Sequence, residues 1–334
     1  MILAGDVGGT KTNLALFKPL GGGRVGPPLS AESIRSGAFP TLEALLLDYR
    51  ARHPGSCEAA CFGVAGAVVD TRVISSNLPW MVEGESLARA LGLGRVALIN
   101  DLVATGYGIE ALKPDELAVV QPGVAAPDGN AGLLAAGTGL GESILVRVGG
   151  RFLPVPSEAG HADFAPRTDA EVAVFRVLRA RYGRVCYERV LSGPGLVAIA
   201  EILHRERGAA EAWRRHAAAA PEGTLAEGTL AGEISRLAIQ RGCEACGEAL
   251  SLFVGVYGAE AGNVALRAVA RGGIYLGGGI APKILAALQG PVFIEAFRDK
   301  DHLRGILSEI PVWVILNEHT AVLGAACYAA TALN

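Results

Sequence analysis

Charge is scarce in this chain and nearly balanced. Thirty lysines and arginines stand against 33 acidic residues in 334, a net of −3. No Lys/Arg-rich block interrupts the balance, which removes the electrostatic footprint of a nucleic-acid binder. Cysteine is also sparse, at six residues. That is too few for a disulfide framework in a chain this long and fits reduced thiols in a cytosol. Cys243 and Cys246 form a single C-x-x-C with no second pair and no histidine at ligand spacing nearby. They read as core or surface thiols rather than as a zinc site. Long apolar runs are missing too. The longest unpunctuated one, Leu250 to Ala259, falls well short of the roughly 18 residues that a membrane span needs. The N-terminus lacks a basic region and a cleavable apolar segment, and the C-terminal Thr-Ala-Leu-Asn carries neither a peroxisomal address nor a lipidation box. These absences predict a cytoplasmic chain that engages neither membrane nor nucleic acid.

What is present suits ordinary packed cores. Hydrophobic residues make up 51% and charged residues 19%, which excludes a disordered chain, and the length suggests two domains. Helical segments alternate with short apolar runs in the N-terminal third. Residues 41–52 read as a helix capped by Thr41, residues 58–64 as a buried strand and 96–99 as another, which together indicate an α/β domain with a mixed sheet. A second region starts near residue 111. There, Thr168-x-x-Glu171 signals a capping box for a helix that Gly183 stops. The alanine- and glycine-punctuated stretch 209–231 reads as a surface insertion. Residues 243–270 read as one long helix or a broken pair, and 321–333 as a final helix.

The stretch GDVGGTKT (5–12) tests as a phosphate loop. A Walker A loop needs a glycine where Thr10 stands and should open a helix, whereas Asn13 to Phe17 reads as a short strand. The segment is therefore a hairpin. Residues 133–148, LLAAGTGLGESILVRV, repeat the layout of residues 2–17: an apolar run, a glycine-and-threonine turn, a second apolar run. Two such hairpins predict a duplicated architecture of two lobes facing a cleft. Backbone N–H groups in tight glycine turns converge on anions, and Gly8-Gly9-Thr10 and Gly137-Thr138-Gly139 each add a hydroxyl donor. Neither is a dinucleotide fingerprint, since Glu142 occupies the third glycine position. Asp6 beside the first turn would repel phosphate unless a cation intervened, so it predicts Mg²⁺, held directly or through water. Gly277-Gly278-Gly279, after an apolar run and before Ala281-Pro282-Lys283, offers a bare-backbone shelf at a strand end.

Candidates for proton transfer and acceptor recognition follow. Val96 to Ile99 runs straight into Asn100-Asp101, placing a carboxylate at the C-terminal end of a strand, where open α/β sheets bind ligands. Asp101 would serve equally as the N-cap of a helix over 102–112. Glu158 and His161 lie in a loop framed by Pro154, Pro156 and Pro166, and can offer an acceptor and a donor to a polyhydroxylated ligand. Glu188, before Leu191-Ser192-Gly193-Pro194-Gly195, is another loop carboxylate that by itself reads as solvated surface.

Six motifs then fall in one order: GDVGGT (5–10), INDLVA (99–104), AAGTGLG (135–141), SEAGHADFAP (157–166), ERVLSGPGL (188–196) and LGGGIAPK (276–283). The sequence resembles the bacterial glucokinases, in the sugar-kinase, actin and heat-shock ATPase superfamily, over most of its length. The resemblance implies a two-lobed α/β actin-like ATPase (ribonuclease H-like) fold with a central cleft. The implied small domain takes residues 1–110 plus a C-terminal helix at about 315–334, and the large domain takes 111–314. It implies ATP and Mg²⁺ as cofactors, D-glucose as acceptor, and a homodimer. Carried over by motif, Asp101 is the general base for the sugar 6-hydroxyl. Asn100, Glu158, His161 and Glu188 hold other hydroxyls, and Asn77 in SSNLPW (75–80) belongs to the sugar-pocket wall. The segment Gly5, Asp6, Val7, Gly8, Gly9, Thr10 and the turn Gly137, Thr138, Gly139 take the phosphates, while Gly277, Gly278 and Gly279 lie by the adenosine.

Two departures from the family pattern stand out. Lys11-Thr12 replaces an asparagine-led pair, and Ala159 replaces a glycine in the Glu-x-Gly-His loop. The cysteine-rich zinc motif that repressor-like sugar kinases carry after the histidine loop is absent, which places the chain in the non-zinc branch. Competing expectations are a kinase for fructose or mannose, and an actin- or chaperone-like ATPase that turns over ATP without sugar. The concentrated Asn-Asp/Glu-x-x-His set argues against the ATPase. A sugar-responsive repressor would need a DNA-binding domain ahead of Gly5.

Overall fold

The computed structural model describes residues 1–69, 71–74, 78–211, 213, 215, 227–240 and 243–331. The chain divides into two compact units: Met1–Pro114 with Arg151–Pro156 and Asn317–Asn334, and Asp115–Gly150 with Ser157–Leu316. Chain order puts the segment Arg151–Pro156 in the second region, but it packs with the first unit.

The first unit is built on β1 (Ile2–Val7), β2 (Lys11–Gly21), β3 (Arg24–Arg35), β4 (Ala59–Val64), the small hairpin β5 (Ala67–Val69) and β6 (Arg72–Ile74), and β7 (Val96–Asn100). The main sheet runs β3-β2-β1-β4-β7, antiparallel on the hairpin side and parallel from β1 through β4 to β7. Central strands covered on both faces read as continuous apolar runs, and all six residues of β4 are buried. Alternate residues serve opposite faces. Leu3, Val7, Leu14 and Phe62 pack with Leu42, Leu45 and Tyr49 of the helix Leu42–Arg52, while Ile2, Ala4, Phe17 and Ile99 pack with Val322, Ala325 and Ala326 of the helix Thr320–Thr331. Thr41 caps its helix as expected, its hydroxyl accepting from Ala44 N at 3.1 Å.

In the second unit β8 (Leu117–Gln121), β9 (Ala131–Ala136) and β10 (Leu140–Val148) precede β11 (Arg151–Val155), which groups with the first unit, and β12 (Gly273–Gly277) and β13 (Val312–Ile315) follow. Its own strands run β10-β9-β12-β13-β8. The hairpin β9–β10 is antiparallel, β9 pairs in parallel with β12, and β12 pairs in parallel with β13. That repeats β1–β2, β1–β4 and β4–β7, so the duplicated layout read from the sequence is a duplicated topology.

One unbroken helix, Glu244–Ala268, forms the spine of this unit, which settles the choice between a long helix and a broken pair. It is long and apolar enough to cross a membrane, but 78% of its most apolar window is buried, and it packs against the helices Gly193–Glu206 and Pro291–Arg298 as a core element. The 209–231 stretch differs from a surface insertion where it is described: Trp213, Leu230 and Ala231 are buried in the main core, and residues 216–226 lie outside the described residues. Thr168 caps the helix Asp169–Tyr182, with its hydroxyl accepting from Glu171 N at 3.2 Å. The Glu171 carboxylate, however, accepts from Arg167 N at 2.6 Å rather than returning to the capping residue.

Two packing features generate tests. The helices Asp101–Gly108 and Thr320–Thr331 meet backbone to backbone, and a Cβ on Gly324 would collide with Ala104 O. Gly324→Ala is expected to cost about 1–3 kcal/mol, whereas Gly232→Ala, on a helix with open space around it, should gain about 0.5–1 kcal/mol; urea unfolding of both measures the contrast. In the second unit Glu142 is buried, and neither carboxyl oxygen has a hydrogen-bond partner among the described residues. Arg267 Nη1 stands 3.6 Å from Glu142 but binds Glu260 at 2.7 Å. Burial first, and the charge of Glu260 second, push the Glu142 carboxyl up to about 8. The native state then keeps a proton that the unfolded chain has released, so stability falls as pH rises from the ordinary carboxyl range to about 8 and levels off above it. Glu142→Gln is expected to flatten that fall, with the variant gaining on the parent between about pH 5 and 8 in denaturation curves.

Candidate active site

The first unit assembles its candidates around the β1–β2 turn. Gly5 is internal to β1, opposite Leu14, and a Cβ there would meet Leu14 Cδ2 at 2.7 Å and Phe62 Cδ1 at 2.8 Å. Its glycine is a packing requirement. Val7 buries its side chain in the core and accepts from Ala65 N through its carbonyl, so only its backbone borders the turn. The turn proper is Gly8-Gly9-Thr10, closed by Gly8 N donating to Lys11 O at 3.1 Å, and Thr10 is exposed at its tip.

Ser36, which no sequence motif marks, holds this turn. Its hydroxyl donates to Gly8 O at 2.6 Å and contacts Thr12 Oγ1 at 2.9 Å, while its N–H donates to Thr10 O. Two carbonyls of the turn are thus anchored behind it, and Gly8 N is spent on closing it. Asp6 sits at the end of β1 against Asn13, whose amide donates to it at 3.4 Å. Burial raises the Asp6 carboxyl above its ordinary value, and the Asn13 hydrogen bond with the charges of Lys11 and His319 offsets only part of that rise. The Lys11 ammonium, a departure from the family pattern, thus acts on Asp6.

Asn100 and Asp101 stand where β7 becomes a helix. The cap is Asn100, not Asp101: its Oδ1 accepts from Leu102 N at 2.9 Å and Val103 N at 3.3 Å, and its Nδ2 donates to Gly66 O at 3.1 Å. Asp101 is the first helical residue, and the helix ends at Gly108 before a 3-10 turn, short of the expected residue 112. Leu102 N also donates to Asp101 Oδ1 at 2.9 Å, which fixes the carboxylate over the helix N-terminus. Gly63 makes room for this start, since a Cβ there would lie 2.8 Å from Ala104 Cβ. Asn77 lies outside the described residues.

The second unit brings its candidates together around the β9–β10 turn. Gly137 N donates to Gly139 O at 2.8 Å, and Gly193 N, at the start of the helix Gly193–Glu206, donates to Gly137 O at 2.8 Å. Glu188 is not loose surface: Leu140 N donates to its Oε2 at 3.0 Å, and a Cβ on Gly139 would press on that oxygen at 2.5 Å. Ser192 joins the two, donating to Glu188 O at 2.7 Å while capping the helix through Gly195 N. Gly160 lets the histidine loop lie flat on β10, where a Cβ would collide with Leu140 O. His161 follows at once, exposed, with Nδ1 4.0 Å from Glu188 Oε1, and Glu158 heads the same short 3-10 turn with an exposed side chain. Gly278 adopts φ +79° and packs on Ala136 O, which also accepts from Ile280 N at 3.2 Å. The third glycine run and the Gly137 turn are therefore neighbours, as are Glu188 and His161. A cavity of about 590 Å³ lined by Arg167, Glu171, Glu248 and Arg304 shares none of these residues.

Ser36→Ala removes a buried hydroxyl with two partners and is expected to destabilise by about 1–3 kcal/mol in chemical denaturation, because Gly8 O is left without its donor.

Comparison with known proteins identifies the family. The glucokinase family model aligns with residues 3–332. Glucokinases from Nostoc sp. and Synechocystis sp. are each 39% identical, covering 99% of this chain and 99% of the first relative, and 98% and 97% for the second. The crystal structure of glucokinase from an Antarctic psychrotroph superposes with a TM-score of 0.84 at 27% identity, covering 99% of this chain and 98% of that one. A ROK family glucokinase from Streptomyces griseus, in complex with glucose and AMPPNP, shares the fold at a TM-score of 0.62 and 22% identity, covering 99% of each chain. The family model and the full-length relatives agree with the actin-like α/β fold, and the chain belongs to the glucokinase family.

Proposed function

We propose that this glucokinase-family chain transfers the γ-phosphoryl group of ATP to the 6-hydroxyl of D-glucose with Asp101 as the general base. The observation that carries the assignment is the position of Asp101 at the end of β7, with its backbone pinned by the Asn100 cap and its Oδ1 held by Leu102 N. Phosphoryl transfer through a loose transition state asks the protein mainly to position groups and neutralise charge. In such a transition state the carboxylate need only accept a proton late. As the 6-oxygen bonds to phosphorus, its proton passes to Asp101 and ADP leaves.

The turn Gly8-Gly9-Thr10 in one unit and Gly137-Thr138-Gly139 in the other supply preorganised N–H and hydroxyl donors for the phosphates. Gly277 to Gly279, beside the second turn, is proposed to lie by the adenosine. Asn100, Glu158, His161 and Glu188 are proposed to hold the remaining sugar hydroxyls, with Asn77 in the pocket wall. Glu188 couples the two tasks, since the carboxylate assigned to the sugar also anchors the first residue after the phosphate turn.

Asp6 fits Mg²⁺: it is a hard oxygen donor whose charge is uncomfortable without a cation, because burial raises its carboxyl. When bound, the ion would offset charge on the transferring phosphates. Action in the cytoplasm at the entry of glycolysis and assembly as a homodimer complete the proposal, and both rest on the family resemblance.

A coupled assay of sugar-dependent ADP formation across glucose, fructose and mannose tests the reading. Glucose is expected to give the highest kcat/KM, and ATP turnover that ignores sugar would overturn it. Asp101→Ala is expected to lower kcat by at least about 100-fold while leaving the fold intact by circular dichroism. Near-normal turnover in that variant would remove Asp101 from the mechanism.

A further inference from the structure

Three metal-ligating side chains converge in the second unit, away from the residues assigned to the reaction. His204 lies in the last turn of the helix Gly193–Glu206, Cys243 caps the spine helix Glu244–Ala268, and Cys246 sits in that helix's first turn. One ligand atom from each lies within 4.8 Å of the others. His204 Nε2 is 3.4 Å from Cys243 Sγ. Around a tetrahedral zinc, Zn–N near 2.0 Å and Zn–S near 2.3 Å put neighbouring nitrogen and sulfur ligands about 3.5 Å apart. Spacing along the sequence argues against zinc here for want of a nearby histidine; the fold supplies one from 39 positions upstream.

The surroundings prepare all three groups. His204 Nδ1 faces Ala200 O at 2.7 Å and donates to it, which fixes the tautomer that turns the Nε2 lone pair toward the sulfurs. The ring packs against Trp213 at 5.2 Å between centroids. Cys246 N donates to Cys243 Sγ at 3.2 Å, and that sulfur caps a 25-residue helix, so the backbone fixes where it stands. His204 and Cys246 are buried and Cys243 is half-buried.

We propose that His204, Cys243 and Cys246 form a site for a thiolate-preferring divalent ion, Zn²⁺, that ties the end of the helix Gly193–Glu206 to the start of the spine helix. Two thiolates and an imidazole select zinc over the hard cations that accompany nucleotides. Binding forms two metal–sulfur bonds and one metal–nitrogen bond, with a water in the fourth position, and releases the two thiol protons to solvent. The ligands lie on helices, unlike the cysteine-rich loop that follows the histidine motif in repressor-like sugar kinases.

Untagged full-length protein, purified without chelator, is expected to carry about one equivalent of zinc by mass spectrometric metal analysis. After reduction and exchange with Co²⁺ it should show thiolate-to-cobalt charge transfer and the visible bands of a tetrahedral site. Cys243→Ser and Cys246→Ser should each abolish those bands, and Cys57→Ser should keep them. Chelator should lower the melting temperature of the parent and leave that of Cys243→Ser unchanged. If either serine variant fails to fold, release of zinc from the parent by a thiol-blocking reagent, read with a chromogenic chelator, gives the same answer. Reduced parent protein that takes up neither ion, or that is isolated with a Cys243–Cys246 disulfide and stays metal-free after reduction, would overturn the proposal. None of these readouts depends on kinase activity, so the site and the catalytic assignment fail separately.

Discussion

A tight glycine turn keeps one shape only if its backbone is held from outside, and in this protein two such turns are held by residues distant in sequence. Ser36 holds Gly8 O and Thr10 O behind the first turn, and Gly193 N holds Gly137 O behind the second. Each anchor belongs to a segment that the sheet or a helix start brings into place. The turns are therefore held by the fold around them, not by their glycines. Glycine alone would make them mobile, and it is the anchoring that turns freedom into preorganisation.

The same economy recurs at the carboxylates. Asn100 gives its side chain to the helix start and to Gly66 O, which leaves Asp101 at the first helical position with a fixed backbone. Glu188 and Ser192 bind the start of β10, the histidine loop and the helix Gly193–Glu206 into one assembly. Close backbone approaches make this arrangement possible, at Gly63 under Asp101 and at Gly160 over β10. Substituting either glycine would act through packing, by shifting the start of the helix Asp101–Gly108 or the histidine loop.

Not every buried polar group serves the reaction. Glu142 and Glu260 share Arg267 in the core of the second unit, and burial keeps the Glu142 carboxyl protonated into the neutral range. The His204–Cys243–Cys246 cluster lies elsewhere in that unit and offers soft donors where the nucleotide chemistry needs hard ones.

Much of this was legible in the chain itself. Strand–glycine–strand spacing determined both hairpins, the apolar runs determined the central parallel strands, and Thr41 and Thr168 determined two helix starts, because each signal is local and set by backbone sterics or a nearby N–H. The ordered motifs determined the family. Tertiary structure decided what depends on distant partners. It made Asn100 rather than Asp101 the cap, gave Gly5 a packing role, and recruited Ser36 to a turn 28 residues away. It also drew Glu188 out of solvent and set His204 beside a cysteine pair that stands alone in the sequence. Sequence spacing records neighbours along the chain, whereas charge, tautomer and coordination answer to neighbours in space, and only packing fixes those.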